Sequence, residues 1–188
     1  MYKIVQAPNE VLRTETKPVD FFDDKLKKII EEMRVTLIVQ KNPEGVGLAA
    51  NQVGLPYRLF LARFVASRKE PASPSATQGG PVRVFINPEI IEHSKEFQVE
   101  TKKSPLEGCL SLPKYYGLVK RWKWITLKYQ IIDSGQARMT EERFEDFPAV
   151  VIQHEMDHLN GKIFVERILE QKGKMYKNVG KEWEEVSL

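Results

Sequence analysis

Two histidines four residues apart constrain this chain more than any other feature, because they fix both a local structure and its chemistry. In a helix, His154 and His158 share one face and lie one turn apart, about 6 Å along the axis. Two imidazoles placed so can bind one cation, and Glu155 lies about 100° further round, where it can act as a base for water. The pattern predicts a metal site on a helix, although two ordinary surface or core histidines remain an alternative.

Two histidines leave a catalytic metal one protein ligand short. A longer protease pattern would place a third histidine at position 164, where this chain has Phe164, which cannot bind a metal. The single cysteine, Cys109, is chemically the best third ligand, because a thiolate binds divalent metals tightly. A lone cysteine is more often a small buried hydrophobe, so four other ligands stay open: Asp157, Glu166, Glu170 and His93.

Length and composition indicate one domain over 1–188, because 188 residues with 41% hydrophobic content suffice for a core. The net charge of +3 is too small to indicate direct nucleic-acid readout. No apolar run approaches the roughly 18 residues of a membrane span, and the N-terminus lacks the features of a signal or transit peptide. We therefore expect a cytoplasmic protein without a membrane partner.

Apolar residues at helical spacing predict an N-terminal helix from Phe21 to Gln40, with Asp20 as its N-cap. The metal-binding helix is predicted to begin near Pro148 and to end at Asn160–Gly161. Residues rich in β-formers predict strands over 58–65, 82–86, 97–101, 119–132 and 138–144.

The polar segment 166–188 predicts a C-terminal helix or tail, and 66–81, rich in Ser, Pro and Gly, predicts an exposed insertion loop. With strands in the middle and helices at the flanks, the predicted fold class is α+β. We expect mixed or antiparallel strands packed around a central metal-binding helix, with an N-terminal helix and a C-terminal helix.

Three motifs together make the chain resemble a known family. They are Gly45-Val46-Gly47-Leu48-Ala49-Ala50-Asn51-Gln52, Glu107-Gly108-Cys109-Leu110-Ser111 and Gln153-His154-Glu155-Met156-Asp157-His158-Leu159-Asn160-Gly161. In this order they resemble the signature motifs of peptide deformylases, and the resemblance extends from the N-terminus to about Val165. Enzymes of that family remove the formyl group from the N-terminal methionine of newly synthesised polypeptides during protein biosynthesis and release it as formate.

The resemblance implies that Cys109, His154 and His158 bind one divalent metal and that water takes the fourth position. Fe(2+) is the expected ion, and Zn(2+), Ni(2+) or Co(2+) can substitute for it. Glu155 would accept a proton from that water and pass it to the leaving amine, while the hydroxide attacks the formyl carbon. The side-chain amide of Gln52 and the backbone N–H of Leu110 would donate hydrogen bonds to the formyl oxygen.

For substrate binding, the resemblance implies that Val46, Gly47 and Gly108 contact the peptide backbone. Val150 and Val151 would line the methionine pocket, with plain helix core as an equal alternative. The same Gly-rich stretch satisfies a loose dinucleotide-binding pattern, which requires a strand before it and a helix after it. Here a predicted helix precedes the stretch and a strand follows, so the dinucleotide interpretation is not favoured.

Several polar side chains carry weaker signals. Gln153 or Asp157 would orient an imidazole or a neighbouring loop, with solvent exposure of Asp157 as the alternative, and Glu107 would brace the cysteine loop. The basic and aromatic run 120–124 is explained more simply by a half-exposed strand than by RNA contact.

The lysines near the C-terminus favour either a solvated helix face or contact with the ribosome: Lys172, Lys174, Lys177 and Lys181. Two other functions also remain open, a zinc endopeptidase and a binding module in which a metal only ties Cys109 to the helix.

Overall fold

The computed structural model describes residues 1–41, 43–64, 80–98, 106–133, 135–180 and 182–187. Within these ranges the helices are α1 (Asp24–Ile38), α2 (Asp146–Leu159) and α3 (Phe164–Glu170). The strands are β1 (Gly47–Ala49), β2 (Leu59–Arg63), β3 (Val82–His93), β4 (Glu107–Cys109), β5 (Leu112–Gly117), β6 (Trp124–Asp133), β7 (Gln136–Glu145), β8 (Met175–Val179) and β9 (Glu182–Val186). None of the helices described is long and apolar enough to cross a membrane.

The predicted N-terminal helix is present but shorter, because its N-cap is Asp23 and not Asp20. The Asp23 carboxylate accepts hydrogen bonds from the backbone N–H groups of Lys25 and Leu26, at 3.0 and 3.2 Å, so α1 begins only after it. The apolar residues of α1 are buried against β1 and β2, as their helical spacing predicts: Leu26, Ile29, Ile30, Met33 and Leu37.

The larger sheet has five antiparallel strands in the order β1-β2-β3-β6-β7. Four of its strands match predicted ones with shifted ends, since β3 continues through two register shifts to His93 and β6 begins only at Trp124. The strand predicted over 97–101 is wrong in its described part, where Phe97 forms a single bridge with Trp122. Residues 99–105, and all of the predicted loop 66–81 except its last two positions, lie outside the described residues.

The smaller sheet, in the order β4-β5-β8-β9, corrects the predicted C-terminal helix. Helix α3 supplies that helix only as far as Glu170, and the chain then forms the antiparallel hairpin β8–β9. Met175 of β8 is buried and Val186 of β9 is half-buried against α3. The residues next to them in each strand face away from α3, so burial alternates with the period of two that is typical of strands. Strand β8 also pairs with β5. The polar composition of the C-terminal segment does not indicate this distant partner.

Helix α2 lies between the two sheets and so confirms the predicted α+β fold with a central helix. Its apolar residues, including Ile152 and Leu159, pack on the larger sheet with an aromatic core of Phe60, Phe85 and Phe144. Its histidines face β4 of the smaller sheet, where Cys109 lies. The helix ends, as predicted, before Gly161, whose φ of 70° is the left-handed conformation that favours glycine.

Candidate metal centre and active site

The structure brings the three predicted metal ligands together in the interior. The ligand atoms of Cys109, His154 and His158 all lie within 4.8 Å of one another, and the three residues are buried. The Sγ atom of Cys109 is 3.1 Å from Nε2 of His158. Strand β4 and helix α2, separated by 36 residues in the chain, are thus packed so that their side chains converge on one point.

The electrostatics of this cluster suit a cation. Burial raises the pKa of the Cys109 thiol, but the charges and hydrogen bonds of His158 and His154 lower it well below its ordinary value. Burial lowers the pKa of His154, while hydrogen bonds with Cys109 and Glu107 raise it well above the ordinary histidine value. One thiolate and two imidazoles are a donor set for zinc or a first-row transition metal, so these residues fit a single divalent ion.

The other candidate ligands have different partners in the structure. His93 stacks on Trp122 with ring centroids 3.7 Å apart. Glu166 pairs with Arg13 and caps α3, where it accepts a hydrogen bond from the backbone N–H of Ile163 at 2.8 Å. Glu170 pairs with Lys162 at 2.9 Å, and Asp157 binds two arginines. None of the four joins the cluster formed by the described residues.

A buried network of ion pairs supports the His154 imidazole at its Nδ1 atom. Its Nδ1 atom lies 3.0 Å from Oε2 of Glu107, and Glu107 binds Arg121 through two hydrogen bonds of 2.8 and 2.9 Å. Arg121 also donates to Asp157 at 2.6 Å, and Asp157 accepts from Arg167 at 2.6 Å. Burial raises the pKa of Glu107, but Arg121 and His154 outweigh it and bring that pKa to about 2, so the carboxylate stays ionised.

Sequence reasoning missed Arg121, which it placed on a half-exposed strand. Arg121 is 4% exposed and joins two carboxylates, while β6 begins three residues later. Glu107 contacts the His154 ring and Arg121, and Asp157 contacts Arg121 and Arg167. The side chain of Asp157 is 6% exposed, so the alternative of solvent exposure is wrong. Gln153 braces a neighbouring loop, because its side chain accepts from the backbone N–H of Trp122 at 2.9 Å and donates to the Trp122 carbonyl at 3.0 Å.

Glu155 lies in the same buried region and has no ion-pair partner within the described ranges. It is 3% exposed, and its Oε2 atom has no hydrogen-bond partner among the described residues. Oε1 lies against Gly47, where an added Cβ would be only 2.1 Å away. Burial raises the pKa of Glu155 to about 7, although the charges of His154 and His158 act to lower it. A carboxylate poised near neutral pH is suited to accept and return a proton.

The orientation of the Gln52 amide is fixed by the backbone. Its Oε1 atom accepts a hydrogen bond from the N–H of Ala49 at 2.8 Å, so its Nε2 donor is directed to the other side. There Nε2 lies 3.4 Å from the Sγ atom of Cys109 and 3.2 Å from Oγ of Ser111. Leu110 follows Cys109 in the turn between β4 and β5, and its carbonyl accepts from Gln6 at 3.0 Å.

A cleft of about 190 Å³ opens onto the cluster. Its lining includes the predicted substrate-binding residues, namely Val46, Gly47, Gly108, Val150 and Val151, together with Gln52, Leu110 and Glu155. Val151 lines this cleft and is also part of the core, with 7% of its surface exposed, so its helix-core role is confirmed and its contact with substrate stays a prediction. Tyr116 and Phe147 line the cleft too and were not predicted, because only the pairing of β5 with β4 brings Tyr116 there.

Comparisons with known proteins agree with this geometry. The family model described as polypeptide deformylase matches residues 1–174. A peptide deformylase from Desulfotalea psychrophila is 38% identical over 182 residues, which cover 96% of this chain and 95% of that protein. A peptide deformylase from Thermotoga sp. strain RQ2 is 41% identical over 168 residues, which cover 89% and 87%.

Solved structures of peptide deformylases are also similar to this chain. The crystal structure of peptide deformylase from Thermotoga maritima has a TM-score of 0.72 and 38% identity and covers 89% of this chain and 97% of its own. The Met-Ala-Ser-bound crystal structure of a class I type b peptide deformylase from Acinetobacter baumannii has a TM-score of 0.72 and 35% identity. That match covers 89% of this chain and 98% of the other.

Proposed function

This chain belongs to the peptide deformylase family, and from that premise we propose how its own residues carry out the reaction. The protein is a metal-dependent hydrolase that removes the N-formyl group from newly synthesised polypeptides. The observation that carries the assignment of roles is the convergence of Cys109, His154 and His158 beside the Glu155 carboxylate, whose Oε2 has no hydrogen-bond partner in the described part of the chain. We propose that residues 1–188 act as one catalytic domain.

Cys109, His154 and His158 would hold one divalent ion. The resemblance to the family supports iron(II), with zinc, nickel or cobalt as substitutes, and the donor set accommodates each of them. When bound, such an ion lowers the pKa of a coordinated water and polarises the formyl carbonyl. The network from Glu107 through Arg121 engages Nδ1 of His154, so Nε2 would be the nitrogen that holds the ion.

Glu155 is the proposed proton carrier. Its carboxylate takes a proton from the attacking water and delivers it to the amine nitrogen as the C–N bond of the formamide breaks. Its burial, its raised pKa and the lack of a partner at Oε2 support this role, since a carboxylate fixed in an ion pair would transfer protons poorly.

Two donors would stabilise the negative charge that develops on the formyl oxygen, the Nε2 amide of Gln52 and the backbone N–H of Leu110. The contact between Gln52 Oε1 and Ala49 supports this, because it holds the amide with its donor toward Cys109 before any substrate arrives. Preorganised donors of this kind are each worth about 10²–10³ in rate.

The substrate would bind as an extended peptide between β1 and β4. We propose that Val46, Gly47 and Gly108 contact its backbone and that Val150 and Val151 surround the methionine side chain. The lining of the cleft supports this, as does the tripeptide Met-Ala-Ser bound in the Acinetobacter baumannii relative.

Formate release tests the proposal. Protein loaded with iron(II) under anaerobic conditions is incubated with formyl-Met-Ala-Ser, and formate is measured. We expect turnover by the wild type, loss of turnover with metal retained in Glu155→Ala, and loss of metal in Cys109→Ser. Cleavage of unformylated peptides at an internal bond, without formate, would favour the endopeptidase instead.

We further propose that the enzyme works in the cytoplasm and contacts the ribosome there, because its substrates are nascent chains. Lys172, in the turn after α3, and Lys177, on β8, support this as cationic positions. Lys174 is paired with Glu185 at 2.9 Å, and Lys181 lies outside the described residues. The double variant Lys172→Glu and Lys177→Glu should weaken salt-dependent co-sedimentation with ribosomes. The same reversals at Lys3 and Lys28 are the control, and equal effects of the two pairs would refute the contact.

A further inference from the structure

An aromatic surface continues from the cleft onto the C-terminal hairpin. Tyr116 lines the cleft, and its ring covers Gly108, where an added Cβ would lie 2.6 Å from a ring carbon. Trp183 of β9 meets the ring of Tyr116 edge to face, with centroids 5.1 Å apart. Tyr176 of β8 lies directly opposite Tyr116 in the register of the sheet. We call Tyr116, Tyr176 and Trp183 the aromatic ledge.

The register places these three side chains on one face of the smaller sheet. Tyr176 lies opposite Tyr116 on one side and Glu185 on the other, and Trp183 precedes Glu185 by two residues. The opposite face packs on α3, where Gly117 lies against Ile168. The aromatic ledge therefore turns away from α3, and Gly108, which pairs with Tyr116, connects it to the cleft.

The aromatic ledge is exposed at Trp183 and half-buried at Tyr116 and Tyr176, and it is almost free of net charge. Trp183 is 51% exposed in spite of its contact with Tyr116. The one carboxylate on this face of β9, Glu185, is paired with Lys174 at 2.9 Å, while Glu182 and Glu184 alternate to the other face. Large aromatic side chains left exposed beside a cleft are typical of contact surfaces, and the paired charge favours an apolar occupant.

We propose that the aromatic ledge binds the side chain of the residue that follows the formyl-methionine, so that the enzyme favours substrates with a large apolar residue there. This inference rests on the proposed function. In an extended peptide successive side chains point to opposite sides. If the methionine enters the pocket of Val150 and Val151, the next side chain leaves it, and the peptide backbone at Gly108 brings that side chain to Tyr116 and Trp183.

The experiment compares two substrates on the full-length, metal-loaded enzyme, formyl-Met-Phe-Ser and formyl-Met-Gly-Ser. We expect the wild type to prefer the phenylalanine peptide in kcat/KM, and Trp183→Ala to reduce that preference about three- to tenfold, mainly through KM. Trp183→Phe should retain most of the preference. Val179→Ala is the matched control, because Val179 is 47% exposed on the other face of the same hairpin.

Three outcomes would overturn the inference while leaving the proposed function in place, and a fourth would overturn the proposed function. If Trp183→Ala released formate with the same preference between the two peptides as the wild type, the aromatic ledge would not be the site. An equal loss of kcat/KM on both peptides would lead to the same conclusion. A wild-type dimer in sedimentation that becomes monomeric in Trp183→Ala would show that a second copy covers the aromatic ledge. Absence of formate from both peptides with the wild type would instead overturn the proposed function on which the inference rests.

Discussion

Nδ1 of His154 lies 3.0 Å from Oε2 of Glu107, so a carboxylate from the smaller sheet fixes the orientation of an imidazole on α2. The contact determines which ring nitrogen is left for a metal, because an Nδ1–H that donates to a carboxylate leaves Nε2 as the ligand. Glu107 is itself 9% exposed in its side chain and held by Arg121, so the orientation does not depend on solvent.

Glu107→Gln should therefore weaken metal binding by about 10- to 100-fold, since an amide supports the imidazole less strongly than a carboxylate does. Competition against a chromophoric chelator measures this directly. Glu96→Gln is the control, because Glu96 lies outside the metal cluster and its side chain is 77% exposed. Its ion pair with Lys123 is long, at 3.8 Å. Equal affinities of the wild type and Glu107→Gln would contradict the role assigned to this contact.

Arg121 joins two carboxylates of the interior, and its removal should reduce stability strongly. Arg121→Met leaves Glu107 without its cation and Asp157 with only Arg167, which should lower the free energy of unfolding by about 3–5 kcal/mol. Urea unfolding of the metal-free protein gives the value.

Arg143→Met is the matched control for that loss. Arg143 is 52% exposed, pairs with Glu145 and lies over the ring of Trp124, so its replacement should cost about 1 kcal/mol or less. Similar losses at the two arginines would show that the buried network adds nothing beyond surface pairing.

Sequence periodicity predicted the elements whose contacts are local. The spacing of His154 and His158 placed both ligands and the base on one helix, and the apolar spacing of α1 identified its buried face. Cys109 was recognised through chemistry and its motif, because it lies 45 residues upstream of His154 and that spacing carries no geometric information.

What the sequence did not reveal depends on pairing between distant segments. Arg121 enters the interior because β4 and α2 each bring a carboxylate to it, and nothing in residues 120–124 signals that. The hairpin β8–β9 was predicted as a helix because its alternation is carried by few apolar residues, chiefly Met175 and Val186. Tyr116 reaches the cleft only through the register of β5 with β4.

Gly47 allows Glu155 to lie against the backbone of β1, so Gly47→Ala should impair catalysis more than metal binding. A Cβ there would lie 2.1 Å from Oε1 of Glu155, and the carboxylate would have to move. A displacement of about 1 Å at a reacting group typically reduces the rate about 100-fold. We expect that loss in kcat, with the metal content by atomic absorption unchanged.

Gly173→Ala is the control for backbone effects, because its Cβ would meet no atom closer than 3.4 Å. If Gly47→Ala kept full kcat, Glu155 would not need its present position for the reaction.

Glu155 should make the metal-free protein less stable as the pH rises through neutrality. Its pKa is raised by burial from an ordinary 4.5 to about 7, so between these values the folded state keeps a proton that the unfolded state has lost. The stability associated with that proton is complete below about pH 4.5 and is lost as the pH rises through about 7. The slope approaches about 1.4 kcal/mol per pH unit inside that window.

Glu155→Gln cannot lose a proton, so its stability should lack this dependence. The free energy of unfolding of the variant minus that of the wild type, both treated with chelator, should increase by on the order of 2 kcal/mol from pH 5 to pH 8. Urea titrations at several pH values measure the difference and cancel groups that titrate in both proteins. A difference that stays constant, or that falls with pH, would mean that the folded protein does not hold Glu155 protonated near neutrality, and that the base is stabilised by contacts other than those described.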